Sequence, residues 1–197
     1  MNRSKIRVSF PALLMFLSPI LFGKVHITFA VIASALLHEA GHISAAKLLG
    51  IELKNLSLDL LGAKLQLSEH LISYKDEMIL CLAGPMLNFT SAALVFPFVY
   101  KGYVHSPFTE CFLVSSLILG TVNMLPISSF DGGRVVLCLL SELLPVRISH
   151  FISSVLSLFC VFCLWCISVY LLVRIGSTLT LFVFSLSVFA RTAISEE

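Results

Sequence analysis

Three ionisable side chains, His38, Glu39 and His42, interrupt the apolar stretch ALLHEAGHISAA that runs from Ala35 to Ala46. On a helix, residues four apart share one face about one turn apart, so both imidazoles can reach one metal ion. Glu39 stands one residue along, outside that ligand pair but within reach of a water at the metal. Zinc held by neutral imidazole nitrogens with one position open to water is a hydrolytic centre, and the intervening carboxylate is its base.

Depth sharpens the reading. Glu39 lies ten residues before the end of an apolar run that closes at Leu49, which is about 15 Å of helix. A carboxylate buried that far into a bilayer costs ~2.5–3.5 kcal/mol, so an ionisable residue there marks function and has a partner. The competing structural reading is a His/Glu hydrogen-bond cluster between spans.

Two histidines leave catalytic zinc short of a third protein ligand. The chain has three aspartates, Asp59, Asp76 and Asp131. The first two fall in a connector and at a span boundary, where a solvated charge needs no special explanation. Asp131 sits in NMLPISSFDGGRVV, followed by two glycines that let the backbone turn sharply or come close. Asp131 is the natural third ligand. As an alternative or additional role, it can cap a helix that starts near Arg134.

The elements that must position these groups follow from composition. Of 197 residues, 58% are apolar and 12% charged, about half the charged fraction of a soluble domain, and the mean hydropathy is +1.00. The expected class is an all-α polytopic membrane protein forming a single domain over residues 1–197. Apolar runs suggest about six transmembrane helices: Val8–Phe22, Val25–Leu49, Met78–Tyr100, Phe108–Leu125, Ile148–Val173 and Ile175–Ala190. Val135–Leu144 is too short to cross and reads as a half-helix or the continuation of a broken fourth span. The basic N-terminus and short apolar run read as an uncleaved first span, not a signal peptide.

Between the second and third spans, Leu56, Leu58 and Leu60 alternate with Ser57 and Asp59, and Gly62 precedes Leu65 and Leu67. Period two with a turn predicts a small β-hairpin on the cytoplasmic side. It reads either as an amphipathic connector or as a strand edge able to hold an extended peptide. With both termini in the cytoplasm, ten basic residues face that side and Lys24, Lys101 and Arg174 face out, which sets the orientation. No basic run exists, so nucleic acid is not an expected partner. The six cysteines lie in apolar segments, the pattern of reduced side chains in lipid or core.

HEAGH (His38 to His42) inside a span, AGPMLN (Ala83 to Asn88) and NMLPISSFDGG (Asn123 to Gly133) fall in the order found in the site-2 protease family of intramembrane zinc metalloproteases, which the chain resembles. The matching core covers about residues 25–144, and spans on either side suggest the six-span, stage IV sporulation branch. The resemblance implies one zinc ion on His38, His42 and Asp131, water activation by Glu39, and positioning of the substrate backbone or oxyanion by Asn123. Asn123 as an ordinary interhelical amide bridge is the competing reading. Pro85 and Asn88 are expected to shape the third span. The chain ends at Glu197 and shows no PDZ insertion, so neither nucleotide control by a CBS domain nor PDZ-based substrate choice is carried over.

The expected function is a zinc-dependent intramembrane endopeptidase of the bacterial cytoplasmic membrane. It would cleave a membrane-embedded or membrane-tethered protein near the cytoplasmic face and release a signalling fragment, with a membrane regulatory partner conceivable and a sporulation role resting on resemblance. The rival is a membrane zinc-binding transporter or sensor without hydrolytic activity. Against it, a noncoordinating glutamate between the histidines is a hydrolase layout, and His70, His105 and His150 lie near span ends instead of along a path.

Overall fold

The helix that carries the histidines, α1 (Val25–Leu48), is apolar on every side, and its buried stripe is set by small and polar residues. Thr28, Ser34, His38, Gly41, His42, Ala45 and Ala46 face inward, while Phe29 and Leu36 are exposed. In a soluble domain the large apolar groups would be inside. Here small residues line the interface, which lets helix backbones approach closely as in a bilayer. The computed structural model describes residues 7–8, 25–51, 53–59, 62–67, 72–104, 106–175 and 179–195. The described chain falls into two compact units, Met1–Val122 and Asn123–Glu197.

In the first unit, α1 ends in a Schellman turn. Gly50 adopts φ 68°, Ile51 N–H donates to Ala46 O at 2.9 Å, and Gly50 N–H donates to Lys47 O at 3.3 Å. Ile51 then packs on Ala45, Ala46 and Leu80, which fixes where the chain leaves the helix. The connector forms a sheet in which β1 (Arg7–Val8) runs parallel to β2 (Leu53–Asp59), and β2 pairs antiparallel with β3 (Gly62–Leu67).

Helix α2 (Tyr74–Tyr100) starts at Ser73, whose Oγ accepts the Asp76 N–H at 3.1 Å. Asp76 and Glu77 complement the positive end of the helix. Against α1 it presents Leu80, Cys81, Gly84 and Asn88, all buried. The contact is backbone-close: a Cβ on Gly41 would lie 2.5 Å from the Ala83 carbonyl oxygen. Helix α3 (Pro107–Asn123) joins α1 through a buried hydrogen bond from Ser116 Oγ to Ser34 Oγ at 3.2 Å.

The second unit contains α4 (Asp131–Leu143), α5 (Val146–Ile175) and α6 (Leu179–Ser195). Leu144 is extended, as expected of a residue before proline, and Pro145 separates α4 from α5. Helices α5 and α6 are tied by the Ser168 and Ser185 hydroxyls at 2.8 Å. Ser149, Ser157, Ser168 and Ser185 are fully buried, whereas Phe151, Phe159 and Phe162 are exposed.

These elements correct the expected fold class, an all-α chain of about six spans with a two-stranded hairpin. Among the described residues, three helices are long and apolar enough to cross a membrane: α1, α2 and the Val146–Arg174 part of α5. The expected fourth run, Phe108–Leu125, includes Met124 and Leu125, which lie beyond the end of α3. At 17 residues, α3 and α6 each reach about 26 Å, short of the ~30 Å hydrocarbon core. The sheet has three strands, because Arg7 and Val8 add to β2. A two-residue parallel pairing carries no periodic signal in sequence. The expected first span, Val8–Phe22, lies outside the described residues apart from Val8. The chain is a membrane protein by the length and composition of its helices.

Candidate metal centre

His38 and His42 are each only 5% exposed, and their Nε2 atoms lie 3.1 Å apart. The rings meet edge to face, with centroids 4.8 Å apart and planes at 79°. This is the geometry that two imidazoles one turn apart adopt when both turn toward one point.

What orients them comes from α2. His42 Nδ1 lies 2.8 Å from the carbonyl oxygen of Leu80. A carbonyl only accepts, so Nδ1 carries the hydrogen, and in the neutral ring the lone pair sits on Nε2. Such a bond to the far nitrogen is how metal-binding histidines are held in the right tautomer. Asn88 Nδ2 lies 3.2 Å from His38 Nδ1, in a position with no solvent exposure.

Gly84 makes the space. A Cβ there would press on His42 Nε2 and would lie 2.7 Å from His42 Cε1 and 2.9 Å from His38 Cε1. The bare backbone of α2 therefore lies directly against the Cε1 edges of both rings. Imidazole nitrogens converging in a buried pocket suit zinc, which takes such donors. Glu39, between the two histidines, is partly buried, with Oε2 shut off from solvent.

In the second unit, Asp131 is the first residue of α4 and is partly buried. It is not the N-cap. Phe130 takes that place with no side-chain hydrogen bond, and the helix begins three residues before Arg134. A carboxylate in the first turn is favoured by the helix dipole. The loop leading to it is firmly held. Ser128 N–H donates to Ser157 Oγ at 2.9 Å, Ile127 is fully buried, and Phe130 stacks on Phe184 with ring planes 11° apart. Gly132 and Gly133 let α4 start against that loop, since a Cβ on Gly132 would lie 2.6 Å from Leu125 O and one on Gly133 2.8 Å from Ser128 N. Asn123 closes α3 and is partly buried.

Over 166 residues, or 84% of this chain, the sequence is 27% identical to the stage IV sporulation protein FB of Bacillus subtilis. Over 115 residues, or 55% of this chain, it is 28% identical to a zinc metalloprotease of Methanocaldococcus jannaschii. The fold matches the solved site-2 protease from the same archaeon with a TM-score of 0.69 and 19% identity, covering 98% of this chain and 90% of that one. The chain shares the fold of that site-2 protease.

The chain spans 58% of the length of the sporulation relative and 32% of the archaeal metalloprotease. No family model matches it. The parts of the site that the sequence does not reveal are the Leu80 carbonyl, the gap over Gly84 and the side chain of Asn88. AGPMLN is a visible signal in the sequence, but by itself it points only to shaping the span. Asn88 touches a candidate metal ligand.

Proposed function

We propose that this chain is a zinc-dependent intramembrane endopeptidase, with His38, His42 and Asp131 as the protein ligands and Glu39 as the general base and acid. The observation that carries the reading is the convergence of two buried imidazole Nε2 atoms 3.1 Å apart on the helix face beside Glu39. Asp131 is the third ligand on the strength of its Asp-Gly-Gly motif, its place at a helix start and the pinned loop before it.

Zinc in such a site supplies Lewis acidity, polarising the scissile carbonyl and acidifying a water. The rest falls to the chain. Glu39 takes the proton from the attacking water and delivers it to the leaving amine. Burial strengthens this exchange, since the charges act in a medium of low dielectric. Asn123 is assigned the orienting of the substrate backbone or the developing oxyanion, on the strength of its motif. Helical peptide bonds are internally hydrogen-bonded, so the substrate must unwind locally to be cut.

The substrate is read as a membrane-embedded or membrane-tethered protein cut near the cytoplasmic face, releasing a signalling fragment. A membrane regulatory partner belongs to the same reading. The chain is read as multi-pass in a bacterial cytoplasmic membrane. Lys47 at the end of α1, with Lys54, Lys64 and Lys75 after it, supports placing that end in the cytoplasm. Arg3, Lys5 and Arg7 near one terminus and Arg191 near the other support cytoplasmic ends. A role in sporulation is suggested by the name of the Bacillus relative.

The test is cleavage of a panel of labelled membrane-tethered reporters by purified protein, comparing wild type with Glu39→Gln and assaying zinc in both. The expected result is cutting by wild type only, with zinc retained in both. Zinc in both without any cutting would favour a sensor or transporter. Absence of zinc from both would overturn the metal site.

A further inference from the structure

Past Ala92, α2 leaves the packed part of the first unit, and none of residues 93–104 is buried. Leu94, Phe96, Phe98, Tyr100 and Tyr103 are exposed there, and the Phe96 and Tyr100 rings stack with centroids 5.7 Å apart. The end of the helix is firmly shaped. Gly102 has φ 73°, its N–H donates to Val99 O at 3.1 Å, and Tyr103 N–H donates to Phe98 O at 3.0 Å. This Schellman turn seats Tyr103 beside the last turn of α2, with exposed Lys101 between the two tyrosines. The other end of α2 repeats the pattern with exposed Tyr74 and Lys75.

Helix α1 gives the levels of these rings a second reference. His38 meets Asn88 and His42 meets Leu80, so the two helices run antiparallel, in close contact at Gly41 and Ala83. At 1.5 Å per residue, His26 lies about 22 Å from that contact along α1, and Tyr100 about 26 Å from it along α2 in the same direction. The opposite way, Lys47 lies about 9 Å and Tyr74 about 14 Å from it. His26, Lys47, Tyr74 and Tyr100 are all exposed, and they fall in two layers about 31 Å apart on α1 and about 39 Å apart on α2. The hydrocarbon core of a bilayer is ~30 Å thick, and ~40–45 Å with its headgroups. Both layers match the headgroup regions.

Resting on the reading of α2 as a membrane span, we propose that Tyr100 and Tyr103 at one end and Tyr74 at the other anchor this helix in the two headgroup layers of a phospholipid bilayer. Phenol chemistry selects that environment. Facing water, the ring forgoes its apolar burial. In hydrocarbon, the hydroxyl has nothing to bond. The interface offers an apolar phase and hydrogen-bonding groups together, which is why tyrosine collects there. Lys75 and Lys101 add positive charge at the level of the lipid phosphates. The anchors set the height of α2. They thereby set the depth of Gly84, which the His38 and His42 rings adjoin, about 15 Å from Tyr74 and about 24 Å from Tyr100.

Depth-dependent fluorescence quenching tests the anchors without zinc or activity. The chain has one tryptophan, Trp165, so Trp165→Phe gives a silent background for Tyr74→Trp, Tyr100→Trp, Tyr103→Trp and Leu94→Trp, each made singly. The purified full-length protein is placed in phosphatidylcholine vesicles carrying bromine either near the headgroup or near the end of the acyl chains. At the three tyrosine positions, the shallow bromines are expected to quench more than the deep ones. Leu94→Trp, about 9 Å further in, is expected to show the reverse. Stronger deep quenching at Tyr100 and Tyr103 would put them in hydrocarbon and overturn the anchoring. Quenching by neither lipid there, with Leu94→Trp still quenched, would show them covered by protein or water and overturn it equally. A Leu94→Trp that neither lipid quenches would remove the span reading itself. If one exchange at that end misfolds the chain, the other tyrosine position reads the same layer.

Discussion

His42 donates a hydrogen bond from Nδ1 to the carbonyl oxygen of Leu80 across 2.8 Å, joining residues 38 positions apart on two packed helices. One bond thus ties the orientation of a candidate ligand ring to the backbone of α2. The bond exists only because α1 and α2 approach closely at Gly41 and Gly84, where a side-chain carbon would collide with backbone or imidazole. The small-residue interface and the candidate metal site are one construction.

Gly84→Ala should therefore damage the site more than the fold. The added methyl would press on His42 Nε2 and on the Cε1 atoms of both rings, and overpacking of this kind costs about 1–3 kcal/mol. A lowered thermal midpoint with zinc content far below one per chain is the expected outcome, measured by calorimetry and metal analysis in detergent. Full zinc occupancy in a well-folded Gly84→Ala would show that the rings do not need that space.

Asp131→Asn keeps the size of the side chain and removes its charge. On the proposed coordination, zinc binding weakens by more than the ~10–100-fold typical of losing a supporting partner of a ligand. Chelator competition reads this directly, and an unchanged affinity would remove Asp131 from the ligand set.

Ser157→Ala tests how the Asp131 loop is held. Ser157 Oγ accepts the Ser128 N–H at 2.9 Å, and leaving that amide without a partner costs about 1–3 kcal/mol, toward the lower end for a part-buried group. The Ser128 amide should exchange its hydrogen faster and the thermal midpoint should fall. Unaltered exchange at Ser128 would mean that Ile127 and Phe130 hold the loop without Ser157.

Ser73→Ala serves as a contrast. It removes the cap on Asp76 N–H and should destabilise the start of α2 by ~1 kcal/mol. The candidate metal centre lies further along the helix, at Leu80, Gly84 and Asn88. Zinc affinity should therefore match wild type while the thermal midpoint drops. A parallel loss of zinc would show that fraying at Ser73 reaches the site.

Much of the candidate site is legible in the chain itself. The four-residue spacing of His38 and His42 puts both rings on one face of any helix, and their depth in an apolar run requires a use for them. Asp131 stood out because the other aspartates had ordinary explanations. The span count was less legible, because apolarity continues past helix ends: Met124 and Leu125 prolong the run that α3 has already left. Hydropathy reports what can sit in lipid, and only backbone hydrogen bonding decides where a helix stops.

The tertiary structure alone decided which nitrogen of each ring faces the pocket. Leu80 O and Asn88 are 38 and 50 residues from the rings they touch. Local periodicity fixes the face a side chain occupies. It carries no information about the tautomer, which is set by whichever donor or acceptor the neighbouring helix brings against the far side of the ring. AGPMLN signalled that α2 mattered, but its reason, a glycine that admits two imidazoles and an amide that meets one, appears only once the helices are packed.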